Sequence, residues 1–236
     1  MLSDTMPKYM QQSILDISTG CKLTLGNFFV GQNKELVESI NNIRGESFSS
    51  LGLYLFGAPG CGRTHLLLAS VQGVSNTAYI DAVKDKHLRT KIGSSNIIAI
   101  DNIDRLSPGG QIKLFNWFNR ASQQRIRFIL SGNKAPLFMR LREDLRTRVA
   151  TLLAFPVHPL SDDQKVEVVK KYAQDRGINL KESTVIYLLN HVDRNLSNLI
   201  DWLNRLDHLS LSKKKNITAH FVRAAIESQK SQDVVD

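Results

Sequence analysis

A glycine-rich loop between an apolar run and a helical pattern is the feature that most restricts the fold of this chain. Residues 55–70 read "LFGAPGCGRTHLLLAS", which meets the pattern G-x-x-x-x-G-K-[ST] at Gly57, Gly62 and Thr64 but has Arg63 in place of lysine. Because the loop follows a strand-like run and opens a helix, its backbone N–H groups converge where a phosphate can bind. The alternative interpretation, a tight glycine turn, does not explain the spacing of the glycines and the threonine.

We therefore predict that this loop binds a nucleotide. Its predicted contact residues are Gly57, Pro59, Gly60, Cys61, Gly62, Arg63, Thr64 and His65. Arg63 keeps the positive charge, but its planar guanidinium is wider than the ammonium that reaches between β- and γ-phosphates. Binding should survive this substitution better than hydrolysis, and the Thr64 hydroxyl would face Mg²⁺.

A second phosphate motif is "NIIAIDNID", in which an apolar run ends at Asp101. A Walker-B acid holds Mg²⁺ from this position, although a strand-end acid can also simply cap a loop. The next residue is Asn102, whose amide cannot act as a general base, so the chain's own hydrolysis should be weak. Asn133, after "RFILSG", is placed to contact a γ-phosphate or a water, and without this context it would be an ordinary turn asparagine.

Composition fits a globular chain. With 236 residues, 42% of them hydrophobic, the chain is long enough for a domain of roughly 130–150 residues and a smaller one. No apolar run approaches the ~20 residues of a membrane span, and the N-terminus lacks a signal pattern. The two cysteines, Cys21 and Cys61, show no metal-ligand spacing, so we expect a cytoplasmic protein with no membrane partner.

The chain carries 31 basic and 22 acidic residues, a formal net charge of +9. This balance favours acidic partners such as nucleotides, nucleic acid or an acidic protein face. An ordinary basic surface explains it equally well, because the basic runs are short and no aromatic residues interleave with them.

Short apolar runs alternate with helical patterns up to about residue 157. The predicted strands are 52–56, 77–81, 96–101, 127–132 and 151–157. Their continuous apolar character is typical of parallel strands buried on both faces. Helices are predicted from Thr64, in 110–124 and within 136–148. The pattern predicts an α/β domain with a parallel sheet.

Only helices are predicted after this point. Ser161 is a candidate N-cap of a helix that stops at Gly177, and further helices are expected at 183–192, 196–211 and 219–228. The predicted organisation is an N-terminal tail (1–22), a nucleotide-binding domain (23–157), a small helical domain (158–228) and a C-terminal tail (229–236).

The order of these motifs, the opening "TLGNFFVGQNKEL" and the later "DRNLSNLIDWL" resemble the DnaA/Hda clade of AAA+ proteins, over residues 23 to about 228. Short members of this clade similarly have arginine in the loop and asparagine after the Walker-B aspartate. The resemblance implies a five-stranded parallel sheet of order 5-1-4-3-2, a helical lid over the nucleotide, and ADP (or ATP) with Mg²⁺ as the ligand. It also implies that Arg194 is the sensor-2 arginine.

The resemblance further implies a role in replication control. Bound to ADP and held on DNA by the β sliding clamp of DNA polymerase III, such a protein would stimulate hydrolysis of ATP on the initiator DnaA and so regulate initiation negatively. Arg148, in "EDLRTR", would be an arginine finger supplied in trans, with Arg146 as the competing candidate. Arg148 could also be a solvated charge at a helix end. Because the initiator's helix-turn-helix region has no counterpart here, direct sequence-specific DNA binding is not expected.

In this clade a short N-terminal peptide binds the clamp. In "QQSILDI", Gln12, Leu15 and Ile17 have suitable offsets, but the familiar leucine-proline-leucine ending is absent and a plain tail is the alternative. Two other functions stay open, an ATPase that loads or remodels another replication protein, as helicase loaders do, and a nonspecific DNA-binding module. The sequence also leaves a homo-oligomer open.

Overall fold

The computed structural model describes residues 23–43, 45, 48–213 and 216–232. A five-stranded parallel sheet is built from β1 (Gly52–Phe56), β2 (Thr77–Asp81), β3 (Ile97–Asp101), β4 (Arg127–Gly132) and β5 (Leu153–Pro156). The strands lie in the order β2-β3-β4-β1-β5, and every neighbouring pair is parallel. This confirms the predicted fold class and the order 5-1-4-3-2.

Among the described residues, four α-helices belong to the α/β part, and the four that follow form a separate helical unit, the lid. Those of the α/β part are α1 (Lys34–Asn42), α2 (Arg63–Val71), α3 (Pro108–Gln124) and α4 (Glu143–Ala150). The lid helices are α5 (Asp162–Asp175), α6 (Glu182–His191), α7 (Leu196–Lys213) and α8 (Ala219–Gln232). Short 3-10 helices span Leu25–Asn27, Ile103–Arg105 and Pro136–Phe138.

The apolar strands are buried on both faces because their side chains alternate between two layers. In β1, Leu53 and Leu55 pack in the layer that contains α1 and α2, while Tyr54 packs in the layer that contains α3 and α4. In β3, Ile98 and Ile100 join Tyr54 in the latter layer. This is the physical reason for continuous rather than alternating apolar runs.

Local hydrogen bonds explain where elements differ from the predicted bounds. The last strand begins at Leu153 rather than at residue 151, because the N–H groups of Thr151 and Leu152 still bond to carbonyls of α4. Helix α3 begins earlier than predicted, at Pro108, because the Ser107 hydroxyl accepts a bond from the third residue of the helix. The predicted helical segment 136–148 divides into a 3-10 helix and α4.

The lid has its own core. Side chains from all four lid helices form one buried cluster, including Val169, Leu188, Leu203 and Val222. As predicted, Ser161 caps α5, and its hydroxyl accepts from the backbone of Gln164 while the Gln164 side chain accepts from the Ser161 N–H. Among the described residues, no helix is both long and apolar enough to cross a membrane.

Candidate nucleotide-binding site

The glycine-rich loop joins the end of β1 to the start of α2. Gly60 and Gly62 have φ angles of +80° and +103°, a backbone conformation that is energetically unfavourable for residues with a Cβ atom. Gly62 is also the N-cap of α2. A Cβ atom at Gly57 would lie 2.8 Å from the carbonyl oxygen of Val157, so this position has no room for a side chain. Pro59 and Gly60 are exposed, which leaves the loop open to solvent in front of the helix N-terminus.

Arg63 is turned inward from this loop. Its side chain is only 7% exposed, and its Nη2 donates a 2.7 Å hydrogen bond to Oδ1 of Asn133 at the end of β4. The other terminal nitrogen, Nη1, is buried without a hydrogen-bond acceptor among the described residues. Burial raises the pKa of the neighbouring Cys61 thiol, and the Arg63 charge partly opposes this. The loop thus holds a buried cation with one nitrogen still unsatisfied.

Thr64 and Asp101, the residues predicted to hold Mg²⁺, lie in contact. The Thr64 hydroxyl donates a 2.6 Å bond to Oδ2 of Asp101, whose side chain is buried at the carboxyl end of β3. Ser131 donates to the other carboxylate oxygen, and the Tyr79 hydroxyl lies 3.4 Å from Oδ2. Burial, together with the charges of Asp101 and Asp81, raises the pKa of Tyr79 well above its ordinary value, so Tyr79 remains a donor. A hydroxyl beside a carboxylate is the oxygen pair that Mg²⁺ uses in nucleotide sites.

Asn102 follows directly in the left-handed conformation, with a φ angle of +57°. Its N–H donates to the Ser131 hydroxyl at 2.9 Å, and its side-chain amide donates to Oδ1 of Asp81 at 3.3 Å. The amide is therefore held in place as a donor. No proton-accepting group stands at this position next to Asp101.

Asn133 links the loop to Asp104, which no sequence motif identifies as a site residue. Its Nδ2 donates a 2.8 Å bond to Oδ2 of Asp104, in the 3-10 helix after β3. The other oxygen, Oδ1, is buried without a hydrogen-bond partner among the described residues. The only sequence signal was the second acid of "DNID", three residues after Asp101, and it did not indicate which side chain it would contact.

His65 holds the segment that precedes α1 against the loop. Its Nε2 lies 2.9 Å from the carbonyl oxygen of Thr24, and its ring meets Phe28 edge-on at 5.3 Å between centroids. Burial lowers the pKa of His65, and the hydrogen bond to Thr24 partly opposes this. A Cβ at Gly62 would lie 3.0 Å from the Phe28 ring, so the residues that precede α1 cover one side of the loop.

The lid reaches the loop at the start of α7. A Cβ at Gly60 would lie 2.8 Å from Nδ2 of Asn195. Arg194, the predicted sensor-2 residue, is exposed and pairs with Asp162 at 2.9 Å, and its second nitrogen lies 3.4 Å from Oδ1 of Asn190. The structure thus brings Asn195 onto the loop and holds Arg194 within the lid.

Arg148 is exposed on α4, and its guanidinium contacts residues of α3. Its Nη2 donates a 3.2 Å bond to Oδ1 of Asn119, and its guanidinium lies over the Phe115 ring, 5.9 Å from the centroid. The predicted clamp-binding residues Gln12, Leu15 and Ile17 lie outside the described residues, as does Cys21.

The residues present fit a nucleotide. Three observations support the fit: the unsatisfied Nη1 of Arg63, the glycine positions that exclude side chains, and the Thr64–Asp101 pair. Within the described part of the chain, no group of three histidine, cysteine or acidic side chains could hold a metal ion by itself. A bound Mg²⁺ would take its remaining ligands from phosphate and water.

The sheet, the phosphate-binding loop and the helical lid together define an AAA+ fold. Domain III of the replication initiator DnaA from Thermotoga maritima has the same fold, with a TM-score of 0.73 over 88% of this chain and 97% of that one at 19% identity. AMPPCP-bound DnaA from Aquifex aeolicus gives 0.63 over 77% of this chain and 64% of that one at 21% identity. A RuvB variant from Thermotoga maritima has a TM-score of 0.66 over 87% of this chain and 72% of that one, at 18% identity.

The lid carries the more specific similarity. Residues 162–226 match the family of Hda lid domains. This chain therefore joins an Hda-type lid to a DnaA-like AAA+ fold.

Proposed function

We propose that this chain is a regulatory inactivator of DnaA. Bound to ADP and held by the DNA-loaded β sliding clamp, it stimulates hydrolysis of the ATP carried by DnaA and so limits initiation of replication in the cytoplasm. The observation that carries this proposal is an Hda-type lid joined to a nucleotide site that has an asparagine, Asn102, where an acid would directly follow Asp101.

In this proposal the chain's own site holds a nucleotide and hydrolyses it poorly. The loop N–H groups and the N-terminus of α2 bind phosphate, and Thr64 and Asp101 hold Mg²⁺, which neutralises phosphate charge. Asn102 donates to Asp81 and cannot take a proton from an attacking water. The nucleotide therefore stabilises the arrangement of the lid and the loop rather than serving as a substrate.

Arg148 is the group that would act on the partner. It is exposed on α4, and among the described residues its guanidinium hydrogen-bonds only to the neutral Asn119. A guanidinium presented in this way can enter a neighbouring nucleotide site and stabilise charge on a phosphoryl group in transfer. Its partner, in our proposal, is the ATP site of DnaA.

In this proposal the sliding clamp brings the chain to DNA. We propose that Gln12, Leu15 and Ile17 bind the clamp, so that contact with DNA is indirect. The +9 net charge would assist the approach to clamp-bound DNA without sequence recognition.

The test is ATP hydrolysis by DnaA, measured with and without this protein and with and without clamp loaded on DNA. We expect acceleration only when protein and loaded clamp are both present. No acceleration would exclude the proposed function. Brisk ATP turnover by this protein alone would favour the loader alternative, and steeply salt-dependent DNA retention without clamp would favour the DNA-binding one.

A further inference from the structure

Three polar side chains form a partly buried hydrogen-bonded chain beside the phosphate-binding loop. Arg63 Nη2 donates to Asn133 Oδ1 at 2.7 Å, and Asn133 Nδ2 donates to Asp104 Oδ2 at 2.8 Å. The amide of Asn133 is therefore oriented from both ends, by a cation at its oxygen and by a carboxylate at its nitrogen.

This arrangement affects the contact that Asn133 could make with the γ-phosphate of a triphosphate. Asn133 is the residue at which a γ-phosphate contact is expected, but its amide nitrogen is committed to a carboxylate. That carboxylate has a second oxygen, Asp104 Oδ1, which is buried and without a hydrogen-bond partner among the described residues. Its ion pair with Arg105 is long, 3.7 Å, and involves the other oxygen. A phosphate placed here would approach the Asp104 carboxylate, and two anionic groups repel each other.

The same chain leaves Arg63 suited to a nearer phosphate. Asn133 fixes one arm of the guanidinium, while Nη1 stays buried and unsatisfied. The planar fork of arginine can hold Asn133 with one nitrogen and a phosphate oxygen with the other, whereas lysine has one nitrogen for both. The arginine thus contributes a fixed donor to a diphosphate.

We propose that the Arg63–Asn133–Asp104 chain is a specificity determinant that makes this site select nucleoside diphosphates over triphosphates. The proposal rests on the nucleotide binding of the proposed function. It adds Asp104 to the site, and it assigns to Asn133 the role of holding Arg63 in place of contacting a third phosphate.

The experiment measures dissociation constants of the full chain for ADP and ATP, each with Mg²⁺, by calorimetry. We expect the unmodified protein to prefer ADP by tenfold or more, and Asp104→Asn to reduce this preference by about tenfold, mainly through tighter ATP binding. Asp85→Asn is the matched control, because it removes one aspartate charge whose hydrogen bonds come from its own turn, at Arg89 and Thr90. It should leave the preference unchanged.

Asn133→Ala tests whether Asn133 holds Arg63 or contacts a γ-phosphate. It also replaces Asp104→Asn as the test if that variant does not fold. Release of the Arg63 guanidinium should again lower the ADP preference. Selective weakening of ATP binding would show that Asn133 is a γ-phosphate contact and would overturn the inference. An unchanged preference in both variants would overturn it as well, whereas failure of the unmodified protein to bind either nucleotide would overturn the proposed function with it.

Discussion

Replacing Gly60 with alanine tests the contact between the phosphate-binding loop and the lid. Gly60 has a φ angle of +80°, and a Cβ there would lie 2.8 Å from Nδ2 and 2.9 Å from Cγ of Asn195. The left-handed backbone costs a non-glycine residue roughly 1–2 kcal/mol. Displacing Asn195 also removes the bond that its Oδ1 accepts from the N–H of Ser197 at 3.0 Å. Bonds of this capping type contribute about 1 kcal/mol.

We therefore expect Gly60→Ala to lower the free energy of unfolding by about 2–3 kcal/mol. Gly73→Ala is the control, because Gly73 has a similar φ angle of +69° with no atom within 4 Å of a new Cβ. It should lose only the backbone contribution, about 1–2 kcal/mol. In an Asn195→Ala background, the cost of Gly60→Ala should fall to that of Gly73→Ala.

The assay is urea unfolding followed by circular dichroism, with the combined fluorescence of Trp117 in α3 and Trp202 in α7 as a second probe. Equal costs for the two glycine replacements would refute the reasoning. So would a double variant whose cost is the sum of the single ones, because additivity would mean that the loop and Asn195 do not interact.

Three further predictions concern the partners and pH. Arg148→Ala should keep ADP and clamp binding yet lose stimulation of DnaA on the order of 10³-fold, measured as DnaA ATP hydrolysis, and Arg148→Lys should be nearly as poor because it lacks the planar fork. Arg146→Ala is its control, and the reverse result would place the finger at Arg146. Gln12→Ala combined with Leu15→Ala should abolish clamp pull-down while ADP binding persists, and undiminished pull-down would place the clamp contact elsewhere. Because burial holds the pKa of His65 below its ordinary 6.5, the unfolded state binds the proton more readily, so the free energy of unfolding should fall as pH drops below 6.5. Urea titrations across pH should show a shallower fall in His65→Gln, and an identical fall would assign the effect to other groups.

The fold was predictable because its strongest determinants are local. Runs such as "GLYLF" and "NIIAID" are apolar at every position but their ends, and only a strand covered on both faces buries so many apolar side chains. The loop glycines and the Ser161 cap are likewise local signals. Helix α1 was not predicted, although Leu36 and Ile40 have helical spacing, because its Asn33 N-cap side chain bonds across the chain to His158 rather than to its own helix.

The candidate site was predictable only in part. Thr64 and Asp101 follow from motif spacing, and the structure brings them into contact. The contacts of Arg63 and Asp104 depend on how β3 and β4 lie side by side, which no short pattern specifies. The roles of Arg148 and Arg194 stay predictions, since the first contacts Asn119 and the second is paired with Asp162.

Strand β5 also determines how the sheet can meet other chains. It is four residues long, lies at the edge of the sheet and is bonded only to β1 among the described strands. The N–H of Val157 points inward, to the carbonyl of Phe56, so by strand alternation the nitrogen of Pro156 faces outward and has no hydrogen to donate. An incoming strand would find one outward N–H in β5, that of Ala154. The β5 edge therefore offers few N–H donors to an incoming strand, which opposes continued strand addition at this side of the sheet.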